Sequence, residues 1–354
     1  MLDYLKGTYY NYIYGVLYQK MLVRDTPPLN EIGGDVKDLT IIVTGPTSGI
    51  GWTTAAELAR RGAHVVLACR SASKGEAMVA QLSKEAAAAG NPPPQLEVNL
   101  LDLASLESVR QFVERWQQRP LHVLVNNAGM FNMGVGRSET KDGLEVHMQT
   151  NHLAHFLLTL GLLPALRKAA QQQQQQQGGF VPRVVTVASA MHHLGYRLQQ
   201  DPLSERSYSA ELAYGNSKLA QVLFTAELNR RLAAAGGGVQ ALSLHPGNVL
   251  TNVVQSLPPA IQSAYRAIMA RVLLTPEQGA RATVYAASDP GAFAAAAATG
   301  GYLDCSAQPV QPHALAADPQ LAAWLWQWSA QQVKLPQGWD LPAGREEAPA
   351  GQAS

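Results

Sequence analysis

The chain has 354 residues, 47% of them hydrophobic, enough for a sizeable core in one large domain or two small ones. Its 27 Lys and Arg balance 26 Asp and Glu, which leaves no electrostatic footprint for nucleic acid. Two cysteines, Cys69 and Cys305, admit one disulfide but no disulfide framework. A reducing intracellular compartment is therefore expected, and without cysteine-rich spacing or HExxH no metal site is predicted.

In chain order, the first feature is "YLKGTYYNYIYGVLYQKMLV" at 4–23, within an N-terminal extension over 1–35. It lacks the basic start and uniform apolar centre of a secretory signal. Its aromatic side chains with polar tips suit a membrane interface, and suit packing onto the protein's own surface equally well. No run of about 18 or more apolar residues argues for a conventional transmembrane helix. The expected location is cytoplasmic or peripherally membrane-associated.

From residue 39 a repeating order begins. "LTIIVT" (39–44), "HVVLAC" (64–69), "QLEVNL" (95–100), "LHVLVN" (121–126), "RVVTVAS" (183–189), "VQALSLH" (239–245) and "GYLDC" (301–305) read as strands. Between them the spacing predicts helices over about 51–61 and 76–89, and over the stretch carrying Leu106, Val109, Phe112, Val113 and Trp116. A long helix is predicted over about 142–168, kinked or ended by Gly161 and Pro164, and another runs through Tyr214 and Lys218 to about Ala235. Strands that are near-continuous Val, Ile and Leu runs are buried on both faces. Alternating with helices, they predict an α/β fold: a doubly wound parallel sheet of about seven strands, the Rossmann arrangement, over 36–305.

Three stretches stand outside this order. "QQQQQQQGG" (171–179) is expected to be a disordered insertion, because Gln and Gly bury too little to offset ordering entropy. "SLPPAIQSAYRAIMARVLL" (256–274) suits a lid over a hydrophobic substrate or a surface-packed helix. The C-terminal part, 306–354, holds a helix over 321–333 with Leu321, Leu325 and Trp328 on one face, best read as core packing, and then a flexible tail.

"TGPTSGIG" (44–51) follows the first strand and opens the first helix. Gly45 permits a sharp turn, and Gly49 and Gly51 let backbone approach a pyrophosphate, toward which the helix start points unpaired N–H groups. At the end of the second strand, where an acid would bind a ribose 2′-hydroxyl, stands Arg70, with Lys74 one turn on. A guanidinium there favours NADP(H) over NAD(H). Tyr214 and Lys218, four apart on a helix, share a face and suit a proton-transfer pair.

These stretches, with Asp102 in "LLDLAS", "NNAG" at 126–129, Asn151 in "QTNHLAHF", Ser189 in "VTVASA", "YGNSK" and "HPGNVLT" at 245–251, resemble the short-chain dehydrogenase/reductase family, and within it the retinol dehydrogenase-like group. The resemblance implies that Gly45, Thr47, Ser48, Gly49, Ile50 and Gly51 cradle the cofactor. Asp102 and Leu103 would meet its adenine, and Asn127, Ala128 and Gly129 would line it. Pro246, Gly247 and Thr251 would flank the nicotinamide. Asn151 would hold a relay water, Ser189 would bind the substrate oxygen, and Tyr214 would be the acid/base. Lys218 would bind the ribose and lower the tyrosine pKa. Two departures are Pro46, which has no N–H for a phosphate, and Ala188, where a second serine is common. The implied activity is NADP(H)-dependent interconversion of a hydrophobic alcohol and its carbonyl, of retinoid or polyprenoid type. A non-catalytic NADP-binding scaffold or redox sensor, or a double-bond reductase, are the alternatives, and a homodimer is left open.

Overall fold

The computed structural model describes residues 18–117, 119–132, 135–175, 179–249 and 272–336. Seven strands form one parallel sheet: β1 Thr40–Thr44, β2 His64–Cys69, β3 Leu96–Leu100, β4 Val123–Asn126, β5 Arg183–Val187, β6 Gln240–Leu244 and β7 Tyr302–Leu303. Their spatial order is β3-β2-β1-β4-β5-β6-β7, and every pairing is parallel. The order reverses between β1 and β4, which opens a crevice at the strands' carboxyl ends. Ile41, Ile42 and Val43 are fully buried in the middle of the sheet, whereas the edge strand β3 is partly exposed and carries Glu97. Arg119 meets that carboxylate at 2.9 and 3.0 Å, a charged side chain placed where an open edge would otherwise invite pairing.

Helices cover both faces. They are α1 Gln19–Leu22, α2 Gly49–Arg60, α3 Ala72–Ala88, α4 Leu106–Trp116, α5 Ala154–Gln175, α6 Ala210–Ala234, α7 Pro276–Ser288, α8 Ala292–Ala296 and α9 Pro319–Gln332. Ser71, Ser105 and Ser209 start α3, α4 and α6 as N-caps, each accepting a backbone N–H. Helix α7 has no counterpart in the elements predicted above. Its signature is nevertheless present: Thr275 and Gln278 form a reciprocal capping box, and Pro276 occupies the first turn.

The long helix departs from expectation at both ends. It opens with a π-helical turn, Met148–Leu153, and it continues through Pro164 to Gln175, so that Gln171–Gln175 are helical and not part of a disordered insertion. Pro164 lies on the exposed face while Leu162, Leu163 and Leu166 on the other face are buried. A mid-helix proline costs about 3 kcal/mol, and each buried leucine returns about 1.5–3 kcal/mol, so packing holds the helix through the break. Met148–Gln175 is long and apolar enough to cross a membrane by length and composition, but its most apolar window is 78% buried inside the fold. It is a core helix.

Helix α6 is buried nearly all round, since α5 and the sheet cover one side and α9 the other. Trp326 of α9 stands 5.2 Å from the Phe156 ring and 5.8 Å from Phe224, with the Arg231 guanidinium 4.4 Å above it. Residues 18–35 also lie on the body. Gln19 is buried and bonds the backbone of Asn248 and Val272, Val23 packs with Leu274 and Cys305, and Arg281 donates to the Val23 and Thr26 carbonyls. Residues 1–17, most of 256–274 and the tail after 336 lie outside the described residues. Both cysteines are free and buried.

Trp326→Ala removes a buried ring that joins α9 to α5 and α6. Urea unfolding should show a loss of about 3–5 kcal/mol; a loss below about 1 kcal/mol would mean that α9 is peripheral to the core.

Candidate functional site

Six of the predicted site residues converge because each follows the carboxyl end of a strand. Gly45 follows β1, Arg70 follows β2, Asp102 lies two residues past β3, Asn127 follows β4, and Ser189 and Pro246 lie two residues past β5 and β6. Thr251 lies outside the described residues.

At the first strand end Gly45 has φ +64°, a left-handed conformation. A Cβ on Gly51 would stand 2.3 Å from the Gly45 carbonyl oxygen and 2.4 Å from Asn127 Nδ2, so the loop closes only around a bare backbone. Ser48 is the N-cap of α2, yet its side chain caps nothing, and the first turn holds no acid. The helix start thus keeps N–H groups and a positive dipole end for an anion. Beside it lies a cavity of about 570 Å³ lined by Thr47, Ser48, Trp52, Arg70, Ser71 and Lys74. Arg70 and Lys74 are exposed, and among the described residues neither pairs with a carboxylate. Asp102 accepts the Ala104 N–H on Oδ1, and Leu103 beside it is buried. Glycine spacing, an uncapped helix start and two free cations at one cavity fit a phosphorylated dinucleotide.

Asn127 ties the end of β4 to β1, donating from Nδ2 to the Thr44 carbonyl at 2.9 Å. The Asn127 and Ala128 N–H groups both donate to the Thr44 hydroxyl at 2.9 Å. That hydroxyl lies 3.0 Å from His155 Nε2, and His155 Nδ1 lies 3.0 Å from the Asn151 carbonyl. A neutral ring satisfies both contacts if Nδ1 carries the proton and Nε2 accepts from Thr44.

The side chains of Asn151, Ser189, Tyr214 and Lys218 surround the crevice. Asn151 sits in the π turn, where Oδ1 accepts the Met130 N–H at 2.9 Å and Nδ2 donates to Ser217 Oγ at 2.9 Å. Ser189 is the N-cap of a 3-10 turn, Ala190–Leu194, and accepts the Met191 N–H. The Tyr214 ring stacks on Phe131 at 4.6 Å. It keeps a partly exposed edge, yet burial dominates: it pushes the phenol up to about 12, against a smaller lowering by the Ser189 side chain. Lys218 is 3% exposed, and burial holds its amine down at about 7. Its Nζ lies 5.5 Å from the Tyr214 ring centre and donates to the Val187 carbonyl at 3.1 Å and to Gln221 Oε1 at 2.9 Å. A Cβ on Gly129 would stand 3.3 Å from that Nζ, so the glycine keeps the approach open.

Three members of this network, Thr44, His155 and Gln221, were not singled out from the sequence. Gln221 is one helical turn past Lys218 and fully polar on a helix buried all round, the one local signal that could have marked it. Pro246 and Gly247 follow β6, and Gly247 has φ +79° with Gln19 and Leu274 against it.

A family model described as short chain dehydrogenase matches residues 39–262. The chain is 40% identical to the dehydrogenase/reductase SDR family member FEY of Arabidopsis thaliana, over 72% of this chain and 66% of that protein. It is 41% identical to polyprenol dehydrogenase of Homo sapiens, over 72% of this chain and 73% of the relative. It is 38% identical to retinol dehydrogenase 14 of Mus musculus, over 86% and 89%. Among solved structures, an uncharacterized protein from Mycobacterium Paratuberculosis superposes with a TM-score of 0.65 at 34% identity, covering 90% of this chain and 99% of that one.

Burial of the network predicts its acid sensitivity. Desolvation keeps His152 at about 3 and His155 at about 4, both below the ordinary value of about 6.5. The unfolded chain therefore binds more protons in this window. The stabilisation is complete above about pH 6.5 and is lost as pH falls through it toward 4 and 3, by about 2 kcal/mol for each ring at pH 5. Urea midpoints should fall between pH 7.5 and 5, and equal midpoints would contradict the buried neutral rings.

Proposed function

Because the chain belongs to the short-chain dehydrogenase/reductase family, a family of nicotinamide-dependent oxidoreductases, we propose that it interconverts a hydrophobic alcohol and its carbonyl with NADP(H). The observation that carries the reading is one crevice holding Ser189, Tyr214 and Lys218 beside the glycine loop and the Arg70–Lys74 cavity. Relatives named retinol and polyprenol dehydrogenases support a substrate of retinoid or polyprenoid type.

The nicotinamide supplies or accepts the hydride when bound. The protein's own work is proton transfer and orientation. Ser189, at a strand end, donates a hydrogen bond to the substrate oxygen. Tyr214 Oη gives that oxygen a proton in reduction and takes the hydroxyl proton in oxidation. Lys218 has three N–H donors, two of them committed to Val187 and Gln221, which leaves one for a ribose hydroxyl. With its phenol raised to about 12, Tyr214 is protonated at neutral pH and ready to donate in reduction. Oxidation needs added positive charge beside the oxygen, from Lys218 and the oxidised nicotinamide, to bring the phenolate within reach. The Arg70 fork and Lys74 would meet a 2′-phosphate.

Tyr214→Phe keeps the ring on Phe131 and deletes only the proton-carrying oxygen. Turnover of NADPH with an aldehyde should fall at least about 100-fold with nucleotide binding retained; an active, folded variant would end the assignment. Arg70→Asp should weaken NADPH binding by about 2 kcal/mol or more and leave NADH unchanged or improved. A wild-type preference for NADH in competitive titration, or equal weakening of both nucleotides, would refute the cofactor choice.

A further inference from the structure

The resemblance implies that Asn151 would hold a relay water, and its main-chain carbonyl lies against the side chains around Lys218. In this chain it is already engaged. Gln221 Nε2 donates to it at 2.7 Å and His155 Nδ1 approaches at 3.0 Å. A carbonyl oxygen has two lone pairs, and two side-chain donors fill them. The π turn accounts for their access, because its altered hydrogen-bond ladder brings this carbonyl within reach of side chains. The other end of the Gln221 amide accepts from Lys218 Nζ at 2.9 Å, and Gln221 is 1% exposed.

We propose that the Gln221 side-chain amide links Lys218 to the Asn151 carbonyl and acts as the positioning residue that holds Lys218 in its charged form. The inference rests on the reading of Lys218 given above. An amide passes polarity along but does not hand a proton on at neutral pH. The bridge is therefore an electrostatic prop. Its oxygen faces the ammonium, its N–H faces the carbonyl, and no flip of the amide preserves both contacts. The groups facing Lys218 from the elements around it are few. Tyr214 lies on the same helix, and the Val187 carbonyl comes from the end of β5. His155 on α5 is held neutral by burial and by the Lys218 charge, and Asn151 Oδ1 and Nζ both lie close to Gly129. Among the described residues no carboxylate forms an ion pair with Lys218, so neutral oxygens alone solvate it. Removing one of two such acceptors from a desolvated amine lowers the pH at which it loses its proton.

Two substitutions of the same length separate this role from mere packing. Gln221→Met and Gln221→Glu both lose the N–H to the Asn151 carbonyl, and they differ in what they present to Lys218. The readout is the pH titration of Lys218 in the full chain labelled with lysine carrying carbon-13 at Cε, its signal assigned by disappearance in Lys218→Arg. The Met variant should titrate about one pH unit below wild type, and the Glu variant about one unit or more above it. Midpoints that coincide, or that move in the same direction, would overturn the proposal. Gln221→Leu replaces the Met variant should that chain not fold. NADPH titration at pH 7 gives a second arm: the Met variant should bind about fivefold more weakly, because less of Lys218 is charged. If wild type itself binds no NADPH, the proposed function fails, while the lysine titration still judges the bridge.

Discussion

The site is organised around an amine buried without a carboxylate. An ion taken out of water costs several kcal/mol even after relaxation. Lys218 offsets this with two neutral oxygens, the Val187 carbonyl at the end of β5 and the Gln221 amide. Neither acceptor would be in place without other features of the fold. Val187 ends a strand whose partner β6 holds the next residue, Ala188, by a 2.8 Å bond to the Leu244 carbonyl. Gln221 keeps its orientation only because the Asn151 carbonyl takes its N–H. That carbonyl belongs to the π turn that opens the long helix. The position of one nitrogen atom therefore depends on β5, β6, the start of α5 and the full burial of α6 beneath α9.

Burial moves the two central groups in opposite directions on the pH scale, the phenol up to about 12 and the amine down to about 7. The physical cause is the same: each shift disfavours the charged form. At neutral pH the phenol is uncharged and the amine is near its midpoint, and the low-polarity crevice gives any charge brought into it a large effect. Under the proposed function, that charge comes with the nucleotide. A bound oxidised nicotinamide favours the phenolate, while hydrogen bonds to the amine favour the ammonium. A phenol that stays neutral until ligand arrives spares the empty protein a second buried ion, and it responds strongly when the ligand binds.

Much of this arrangement was legible in the sequence. Strands buried on both faces write themselves as apolar runs, and Ile41–Val43, Val65–Ala68 and Val184–Val187 are all buried in the sheet. The glycine loop was legible because Gly45 and Gly51 have no sterically acceptable replacement at those contacts. The helical Gln171–Gln175 were not legible, since composition describes an isolated segment while a helix already paid for by a buried leucine face carries its polar end along. Pro164 misled for the same reason. Helix α7 was overlooked because four of its eight buried residues are alanine, which marks no strong apolar face, and its capping box was the better signal. The polar network was the least legible part. Thr44 and His155 are 111 residues apart, and Gln221 and Asn151 are 70 apart. Such pairs are made by tertiary geometry, and no local pattern encodes them.

The N-terminal residues show the same physics at the other side of the crevice. Gln19 accepts the Asn248 N–H at 2.7 Å and donates to the Val272 carbonyl at 3.0 Å and to the Asn248 carbonyl at 3.2 Å. These two backbone positions lie beside the bridge between Val249 and Leu274, and Asn248 directly follows Gly247. A buried backbone group left without a partner costs about 1–3 kcal/mol, and Gln19, 1% exposed, is where the chain supplies one. A glutamine amide offers a donor and an acceptor side by side, so it can join two polar groups within a buried region. Gln221 joins Lys218 to the Asn151 carbonyl, and Gln19 joins two backbone segments beneath the Pro246–Gly247 turn. The segment preceding β1 is consequently part of the framework around the crevice, and its docking through Gln19, Val23 and Thr26 fixes where the chain leaves β6 and where it returns to α7.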